Sequence, residues 1–261
     1  MLDMSTLEQF EWDSLSADDL NMMKHSHTWQ ADHSLYSLRS DWTDAIVRYR
    51  KKYRLTSKKI AYSGPVYIEK QEKVQPGMEI FLETIQDQMN TMNDLLSYST
   101  IHLNLTLSVA VISHYSLFKK MMSSSELKDT ELLAYLSERN LDRLRDRLGS
   151  NHPVVRLMSQ PVPEQLTYAK KHFPDLNKPI EEIQRWEDEL TRHHIPVLYS
   201  DLFSLPTQSY YKGIFLQVYT HQSVEPVITG GQYSSPTKAF GMSVNLSALP
   251  LQSLTTKEHD A

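Results

Sequence analysis

One heptapeptide carries the side chains best suited to bind a small polar ligand. It runs from Gln75 to Phe81 and reads Gln-Pro-Gly-Met-Glu-Ile-Phe. In an extended conformation, the period of two places Gln75, Gly77 and Glu79 on one face of a strand. An amide and a carboxylate then flank a glycine that lets a ligand approach the backbone, while the apolar residues anchor the strand. The alternative is a half-buried strand whose polar face contacts only water.

A second pair of polar side chains, Asp41 and Thr43, lies where a strand is expected to lead into a helix. Leu35–Arg39 has the composition of the strand, and helical spacing begins at Asp44. Side chains at such a junction lie near helical N–H groups that lack an intrahelical partner, so they are well placed to meet a ligand. Capping of the helix is the competing role.

The charge of the chain disfavours nucleic acid as a partner. The formal net charge is -5, whereas nucleic-acid affinity comes largely from clustered lysines and arginines. The densest basic cluster, residues 48–54, is interpreted as the solvated end of a helix, because a helix C-terminus favours cations. A basic patch that faces an anionic substrate or partner is the alternative.

Residue usage also limits the chemistry and the compartment. Cysteine is absent, which excludes disulfides, a thiolate nucleophile and cysteine-ligated zinc, and suits a reducing interior. The adjacent His193 and His194 point about 100° apart on a helix and have no acidic partner at a suitable spacing, so no metal site is predicted. No apolar run reaches membrane-spanning length and the N-terminus lacks a signal pattern, so a cytoplasmic protein is expected.

The elements around the heptapeptide are predicted as strands and one helix. Lys59–Ile68 is predicted as a strand that a short polar link joins to the Gln75 strand as an antiparallel pair. A helix is predicted from about Leu82 to Leu96. Apolar residues alternate from Ile101 to Val109, which predicts a further strand.

Helical periodicity then replaces the strand pattern until about His194. Prolines separate the helical segments, which are Leu127–Leu136, Leu141–Leu148, Val154–Met158, Leu166–Phe173 and Ile180–Leu190. An insert of roughly eighty residues can hold a small core of its own. The predicted organisation is a first core part at 1–112, a helical insert at 113–195 and a second core part at 196–261.

Strand character returns after the insert. The predicted strands are Val197–Tyr199, Tyr210–Tyr219, Pro226–Thr229 and Phe240–Leu246. Gly230 and Gly231 are predicted to form a sharp turn. Strands, then helices, then strands indicate an α+β fold with an antiparallel sheet.

Five separated blocks together resemble the catalytic core of class II histidyl-tRNA synthetases, and more closely its non-synthetase relatives, the ATP phosphoribosyltransferase regulatory subunits. The blocks are Leu38–Thr43, Tyr62–Tyr67, Gln75–Phe81, Tyr210–Gly213 and Gly230–Tyr233. Taken in that order, the five blocks are similar to five segments of the family. These are its Leu-Arg-Pro-Glu/Asp-x-Thr block, its motif two, its Gln-Leu-Gly-x-Glu-x-Phe strand, its Tyr-Tyr-x-Gly turn and its Gly-Gly-Arg-Tyr sequence. The resemblance covers nearly the whole chain and implies a class II synthetase-like antiparallel sheet flanked by helices, with a helical insert.

The departures from the family concern its arginines. Amino-acid activation joins a carboxylate to a triphosphate, so a synthetase holds arginines against the developing negative charge. By position those arginines are replaced here by Ile68, Pro206, Gln232 and Ala248. Losing one such donor typically costs on the order of 3 kcal/mol, so losing all four should abolish adenylation.

The family's amino-acid pocket is retained, by the same resemblance. Asp41, Thr43 and Gln75 are implied to bind the ammonium of L-histidine, and Glu79 with Tyr211 to meet its imidazole. A carboxylate can pair with an ammonium and accept a hydrogen bond from an imidazole N–H. A chain that keeps the binding residues and lacks the catalytic ones is interpreted as a sensor.

The resemblance therefore implies a non-catalytic regulatory subunit. It would bind L-histidine and the short-form catalytic subunit of ATP phosphoribosyltransferase, as a hetero-oligomer expected to be a hetero-octamer, with self-association as a dimer and no cofactor. One alternative is a truncated ligase that acylates a non-standard acceptor, and another is a dimerisation module with a vestigial pocket.

The ends of the sequence also differ from the family pattern. About two dozen residues that precede the first strand in the family have no counterpart, and Ser5–Glu8 fits only the end of the dimer-forming motif one. The sequence stops soon after motif three, so an anticodon-binding domain is not expected.

Overall fold

The computed structural model describes residues 4–10, 23, 26–68, 71–81, 84–204, 210–234 and 238–249. These residues fall in two compact units. Of the described residues, those within 1–105, 222–229 and 235–261 form the first unit, and those within 106–221 and 230–234 form the second. The sequence Ser16–Leu20, with serine as a cap and acidic residues near the start, predicts a helical turn, and it lies outside the described residues. The three-part division at residues 113 and 196 stays a prediction.

Strands dominate the beginning and the end of the chain, and helices dominate its middle. The elements up to residue 121 are β1 (Leu7–Phe10), β2 (Thr28–Ala31), β3 (Ser34–Leu38), α1 (Trp42–Tyr53), β4 (Lys59–Tyr62), β5 (Pro65–Ile68), β6 (Gln71–Val74), β7 (Gly77–Phe81), α2 (Ile85–Ile101), β8 (Leu107–His114) and α3 (Tyr115–Met121). Those that follow are α4 (Thr130–Ser137), α5 (Leu141–Leu148), α6 (Pro153–Met158), α7 (Val162–His172), α8 (Asn177–Thr191), β9 (Val197–Ser200), β10 (Tyr211–Thr220), β11 (Ile228–Ser234) and β12 (Lys238–Val244). This order confirms the predicted α+β class.

In the first unit, the strands form three groups, and the third contains the strand of the heptapeptide. One group has the order β1-β3-β2, another is the β5-β6 hairpin, and the third has the order β4-β7-β12, all with antiparallel neighbours. Helix α2 packs against β7 and β12. Strand β7 thus forms the centre of its group, and its last residue, Phe81, is buried.

The strand predicted over Lys59–Ile68 is wrong as a single element. Its first half, β4, does pair with β7 as expected, with Tyr62 opposite Gly77. Its second half, β5, instead pairs with β6, so the chain changes partner between Tyr62 and Pro65. Gly64, at a φ of 153°, makes this change possible, because a side chain there would meet the ring of Trp42 and strain the backbone.

The strand predicted over Ile101–Val109 is wrong up to Thr106. Helix α2 starts at a capping box between Thr84 and Asp87 and continues to Ile101, beyond the predicted end. Two hydroxyls near its end bond back to carbonyls four residues earlier, which keeps these polar residues in the helix. The strand that follows, β8, is buried on both faces and so carries no simple alternation.

The second unit joins a small sheet to the helices of the middle region. Its strands have the order β11-β10-β8-β9, in which β8 and β10 are antiparallel and β8 and β9 are parallel. The predicted antiparallel sheet is therefore correct except for this last pair. Helix α8 packs against β8, β9 and β10. It buries Ile180, Ile183, Trp186 and Leu190, which the helical period places on one face.

The sharp turn predicted at Gly230 and Gly231 is wrong, because both glycines lie inside β11. A Cβ atom on Gly231 would lie 2.3 Å from the carbonyl oxygen of Ile214. A glycine is needed here because the neighbouring backbones approach closely, and such close approach is a common reason for a glycine inside a strand.

A buried arginine, Arg39, connects the start of α1, where Asp41 and Thr43 lie, to other parts of the first unit. Arg39 is 1% exposed, and its guanidinium lies 3.4 Å from the centre of the Trp42 ring. Its Nε and Nη2 donate to the carbonyl oxygen of Pro65 at 3.2 and 2.9 Å, and its Nη1 donates to those of Met4 and Ser5. One side chain thus connects the start of α1 to β5 and to the segment before β1.

Replacement of Arg39 by lysine should destabilise the protein. An ammonium cannot stack on the Trp42 ring as a planar guanidinium does, and it cannot donate to the same set of carbonyl oxygens. We expect a loss of about 2–3 kcal/mol in the free energy of unfolding, as for a buried hydrogen bond to a charged group. Urea denaturation measures it. The exposed Arg143→Lys is the control and should change stability by less than about 0.5 kcal/mol. Equal effects of the two substitutions would contradict this role.

Candidate functional site

The centre of the candidate site in the first unit is the carboxylate of Glu79. Glu79 lies in the middle of β7 and is fully buried, and its Oε1 accepts a hydrogen bond of 2.8 Å from the Thr43 hydroxyl. A buried carboxylate is stable only when hydrogen bonds replace its water. The structure thus brings together two of the residues that the sequence assigned to the ligand.

The backbone of the neighbouring strand leaves room for this carboxylate. Gly241 of β12 is directly opposite Glu79 in the strand register. A Cβ atom on Gly241 would lie 1.9 Å from Oε2 of Glu79, so any larger residue must displace the carboxylate. No local signal in the sequence marks this dependence, because the two residues are far apart along the chain.

The open slot expected over Gly77 is not present. A Cβ atom on Gly77 would lie 2.5 Å from the Tyr62 hydroxyl oxygen and 2.6 Å from the Met242 carbonyl oxygen. The Tyr62 side chain, which stacks on Trp42, therefore fills the space that was assigned to a ligand. Gly77 accommodates a tyrosine rather than a bound molecule.

Asp41 and Gln75 lie in the same unit and make backbone interactions. Asp41 is the N-cap of α1, and its Oδ1 accepts from the N–H of Asp44 at 2.9 Å. The capping role weighed against ligand binding is thus present. Gln75 precedes β7 rather than lying in it, and its N–H donates to the carbonyl oxygen of Gly64 at 2.9 Å. Binding of an ammonium by these residues stays a prediction.

Tyr211, the fifth predicted residue, belongs to the second unit. It opens β10 and is 8% exposed. Its ring packs against Tyr210 at 4.8 Å and against Phe215 at 5.0 Å between ring centres. Tyr210 in turn contacts Tyr233 edge-on at 5.6 Å. The aromatic cluster fixes the ring in place, and its contact with a ligand stays a prediction.

Gln232, which stands where the family has an arginine, is part of a polar network in the second unit. Its Oε1 accepts from the N–H of Ile214 at 3.0 Å, and its Nε2 donates to Oε1 of Glu182 at 2.7 Å. Oε2 of Glu182 lies 3.2 Å from Nε2 of the buried His114. Sequence reasoning missed Glu182, since nothing near it in the chain marks it as a partner of Gln232.

The other positions that replace family arginines differ in their surroundings. Ile68 ends β5. Ala248 lies in a short helical turn and lines a cleft of about 560 Å³ that also contains Glu72, Lys73 and Glu225. Pro206 lies outside the described residues.

The charges of this cleft are mainly acidic. Lys73 and Glu225 form an ion pair of 3.0 Å. A hydrogen bond to Glu72 raises the pKa of the half-buried Tyr67. The buried Oδ1 of Asn245, which lines the cleft, has no hydrogen-bond partner among the described residues. The cleft thus offers acceptors rather than the cations that a polyphosphate needs.

The described residues contain neither a metal-binding cluster nor a membrane-spanning helix. Among them, no group of three or more histidine, aspartate or glutamate side chains could hold a metal ion. In the same part of the chain, no helix combines the length and the apolar character needed to cross a bilayer.

The family follows from a comparison of the whole sequence. A family model described as histidyl-tRNA synthetase matches residues 7–249. The chain belongs to the histidyl-tRNA synthetase family. The match includes all five predicted ligand residues, from Asp41 to Tyr211, and the family confirms the class II synthetase-like fold.

Curated relatives of the chain are named as regulatory subunits. Proteins of Staphylococcus aureus strains Newman and JH1, each named ATP phosphoribosyltransferase regulatory subunit, are 28% identical over 246 residues. The aligned region covers 94% of this chain and 90% of each relative. The expected likeness to these subunits is confirmed.

Solved structures share the fold. An ATP phosphoribosyltransferase regulatory subunit/histidyl-tRNA synthetase from Bacillus halodurans gives a TM-score of 0.76 at 19% identity and covers 98% of this chain and 74% of that chain. A chain of the ATP phosphoribosyl transferase (HisG:HisZ) complex from Thermotoga maritima gives 0.71 at 18% identity, with coverage of 94% and 90%.

Replacement of Gly241 by alanine should force the Glu79 carboxylate out of position. We expect a loss of about 1–3 kcal/mol in the free energy of unfolding, as for overpacking in a core. The same substitution in a Glu79→Ala background should cost clearly less, because the displaced group is gone. A double-mutant cycle by chemical denaturation measures the difference. Equal costs in the two backgrounds would show that Gly241 does not accommodate Glu79.

Proposed function

We propose that this chain is the non-catalytic regulatory subunit of ATP phosphoribosyltransferase, the enzyme of the first step of L-histidine biosynthesis. It binds histidine, and it activates and feedback-regulates a short-form catalytic subunit. The names of the Staphylococcus aureus relatives support this role, since the alignment covers nearly the full length of both chains. A cytoplasmic location is part of the proposal.

The buried Glu79–Thr43 pair is the observation that carries histidine binding. A fully buried carboxylate with one oxygen held by a hydroxyl is a strong acceptor for an imidazole N–H. Asp41, Thr43 and Gln75 are proposed to bind the ammonium. Tyr211, in the second unit, is proposed to contact the ring.

The surroundings of the former arginine positions support a non-catalytic role. Gln232 is hydrogen bonded to a carboxylate, so an anion there would meet Glu182 rather than a cation. Ala248 lines a cleft in which the only described lysine is paired with Glu225. Phosphoryl chemistry needs donors aimed at the developing charge, and uncharged residues cannot supply that charge.

The proposed assembly is a hetero-oligomer with the short-form catalytic subunit, a hetero-octamer in which this chain also self-associates as a dimer. The Thermotoga maritima structure, described as a HisG:HisZ complex, supports the choice of partner. Feedback inhibition requires that histidine bind two states of the complex with different affinities.

Calorimetric titration of L-histidine into the complex with a short-form catalytic subunit tests the proposal. Glu79→Gln and Thr43→Val should each weaken binding by on the order of tenfold or more, as expected for a lost hydrogen bond to a charged group. Stimulation of the catalytic subunit should survive both substitutions, while inhibition by histidine should weaken. The exposed Glu138→Gln is the control and should match the wild type.

Four results would contradict the proposal. The wild-type complex could fail to bind histidine, or the chain could fail to stimulate the catalytic subunit. Wild-type affinity in Glu79→Gln would indicate a vestigial pocket instead. Histidine-dependent pyrophosphate exchange by the chain alone would identify it as a ligase.

A further inference from the structure

One carboxylate in the second unit links the helical region to three strands. Glu182 projects from α8 and meets His114 of β8 and Gln232 of β11. The Gln232 side chain also accepts a hydrogen bond from the N–H of Ile214, which lies in β10. Both carboxylate oxygens of Glu182 and both the oxygen and the nitrogen of the Gln232 amide therefore form hydrogen bonds. These bonds connect α8 to β11 and β11 to β10.

The direction of each hydrogen bond in this network is determined by its neighbours. Nδ1 of His114 accepts from the N–H of Ser116 at 3.2 Å, so Nε2 carries a proton and donates it to Glu182. A reversed Gln232 amide would place its NH₂ group against the Ile214 N–H, and two donors would face each other. The network therefore specifies an acceptor at position 182 for two donors.

Glu182 stays ionised in this setting. Burial raises its pKa, but the hydrogen bonds from His114 and Gln232 outweigh burial and hold the pKa below its ordinary value of 4.5. A charged acceptor makes these hydrogen bonds stronger than bonds to a neutral group would be.

The network ends next to Tyr211. The Gln232 side chain covers Gly213, where a Cβ atom would lie 1.9 Å from its Oε1. The residue before Gln232, Gly231, lies against the Tyr211 ring, and a Cβ atom added to this glycine would lie 3.1 Å from the ring Cε1. Gln232 thus lies against Gly213, two residues after Tyr211, and directly follows Gly231, which lies against the Tyr211 ring.

We propose that Glu182 is a positioning residue that couples the helical region to Tyr211, so that histidine affinity depends on the Glu182–Gln232 hydrogen bond. The inference rests on the proposed function, because it assigns a regulatory role to a residue that does not touch the ligand. A change in the position of α8 alters the Tyr211 ring through this bond.

An exchange of the two side chains separates this role from a general loss of packing. Glu182→Gln leaves one acceptor oxygen for two donors, so one bond is lost. Gln232→Glu places two carboxylates together, which repel. In the double variant, the carboxylate now at position 232 can accept from Ile214 and from the amide now at position 182, whose own oxygen can accept from His114. All of the described bonds are restored with the same net charge as the wild type.

The experiment measures the dissociation constant of L-histidine by calorimetry on the assembled complex, together with the Tm of each variant. Glu182→Gln should raise the dissociation constant about threefold to tenfold, as for one hydrogen bond. Gln232→Glu should raise it further, and the double variant should return close to the wild type. Glu181→Gln, which changes an exposed residue on the same helix, should have no effect.

Two results would overturn the inference alone. One is wild-type histidine affinity in both single variants with a lowered Tm, which indicates a purely structural network. The other is a double variant no better than Gln232→Glu. Failure of the wild-type complex to bind histidine would instead overturn the proposed function, and this inference with it.

Discussion

The buried carboxylate of Glu79 is the constraint on which the site depends. Burying a carboxyl group without hydrogen bonds is unfavourable; the Thr43 hydroxyl donates one to Glu79, and Gly241 leaves space for the other carboxyl oxygen. Such an arrangement adds little to the stability of a sheet, since an apolar residue would pack there at lower cost. The proposed histidine ligand, with an imidazole N–H to donate, would account for a carboxylate at this position.

Two polar connections, one buried and one half-buried, hold the elements that present the predicted ligand residues. In the first unit, Arg39 joins the start of α1 to β5, which fixes the turn that bears Asp41 and Thr43. In the second unit, Glu182 and Gln232 connect α8 to the strand of Tyr211. Each uses a long polar side chain where an apolar one would leave backbone donors or acceptors without partners.

The sequence predicts well what local patterns determine. The strand at Glu79 follows from alternation and is confirmed, and the helix predicted from Asp44 begins two residues earlier, at Trp42, with Asp41 as its N-cap. The filling of the space over Gly77 by Tyr62 could not be predicted, because it depends on strand register. The hydrogen bond between Glu182 and Gln232 could not be predicted either, because fifty positions separate the two residues along the chain.

Nitrogen NMR of ring-labelled histidine bound to the complex tests the central claim most directly, because it reports the protonation and hydrogen bonding of each imidazole nitrogen. The account predicts that one ring nitrogen carries a proton shared with the Glu79 carboxylate, and that its resonance moves when Glu79 is replaced by glutamine. Bound histidine with the same ring resonances in the wild-type and Glu79→Gln complexes would contradict it.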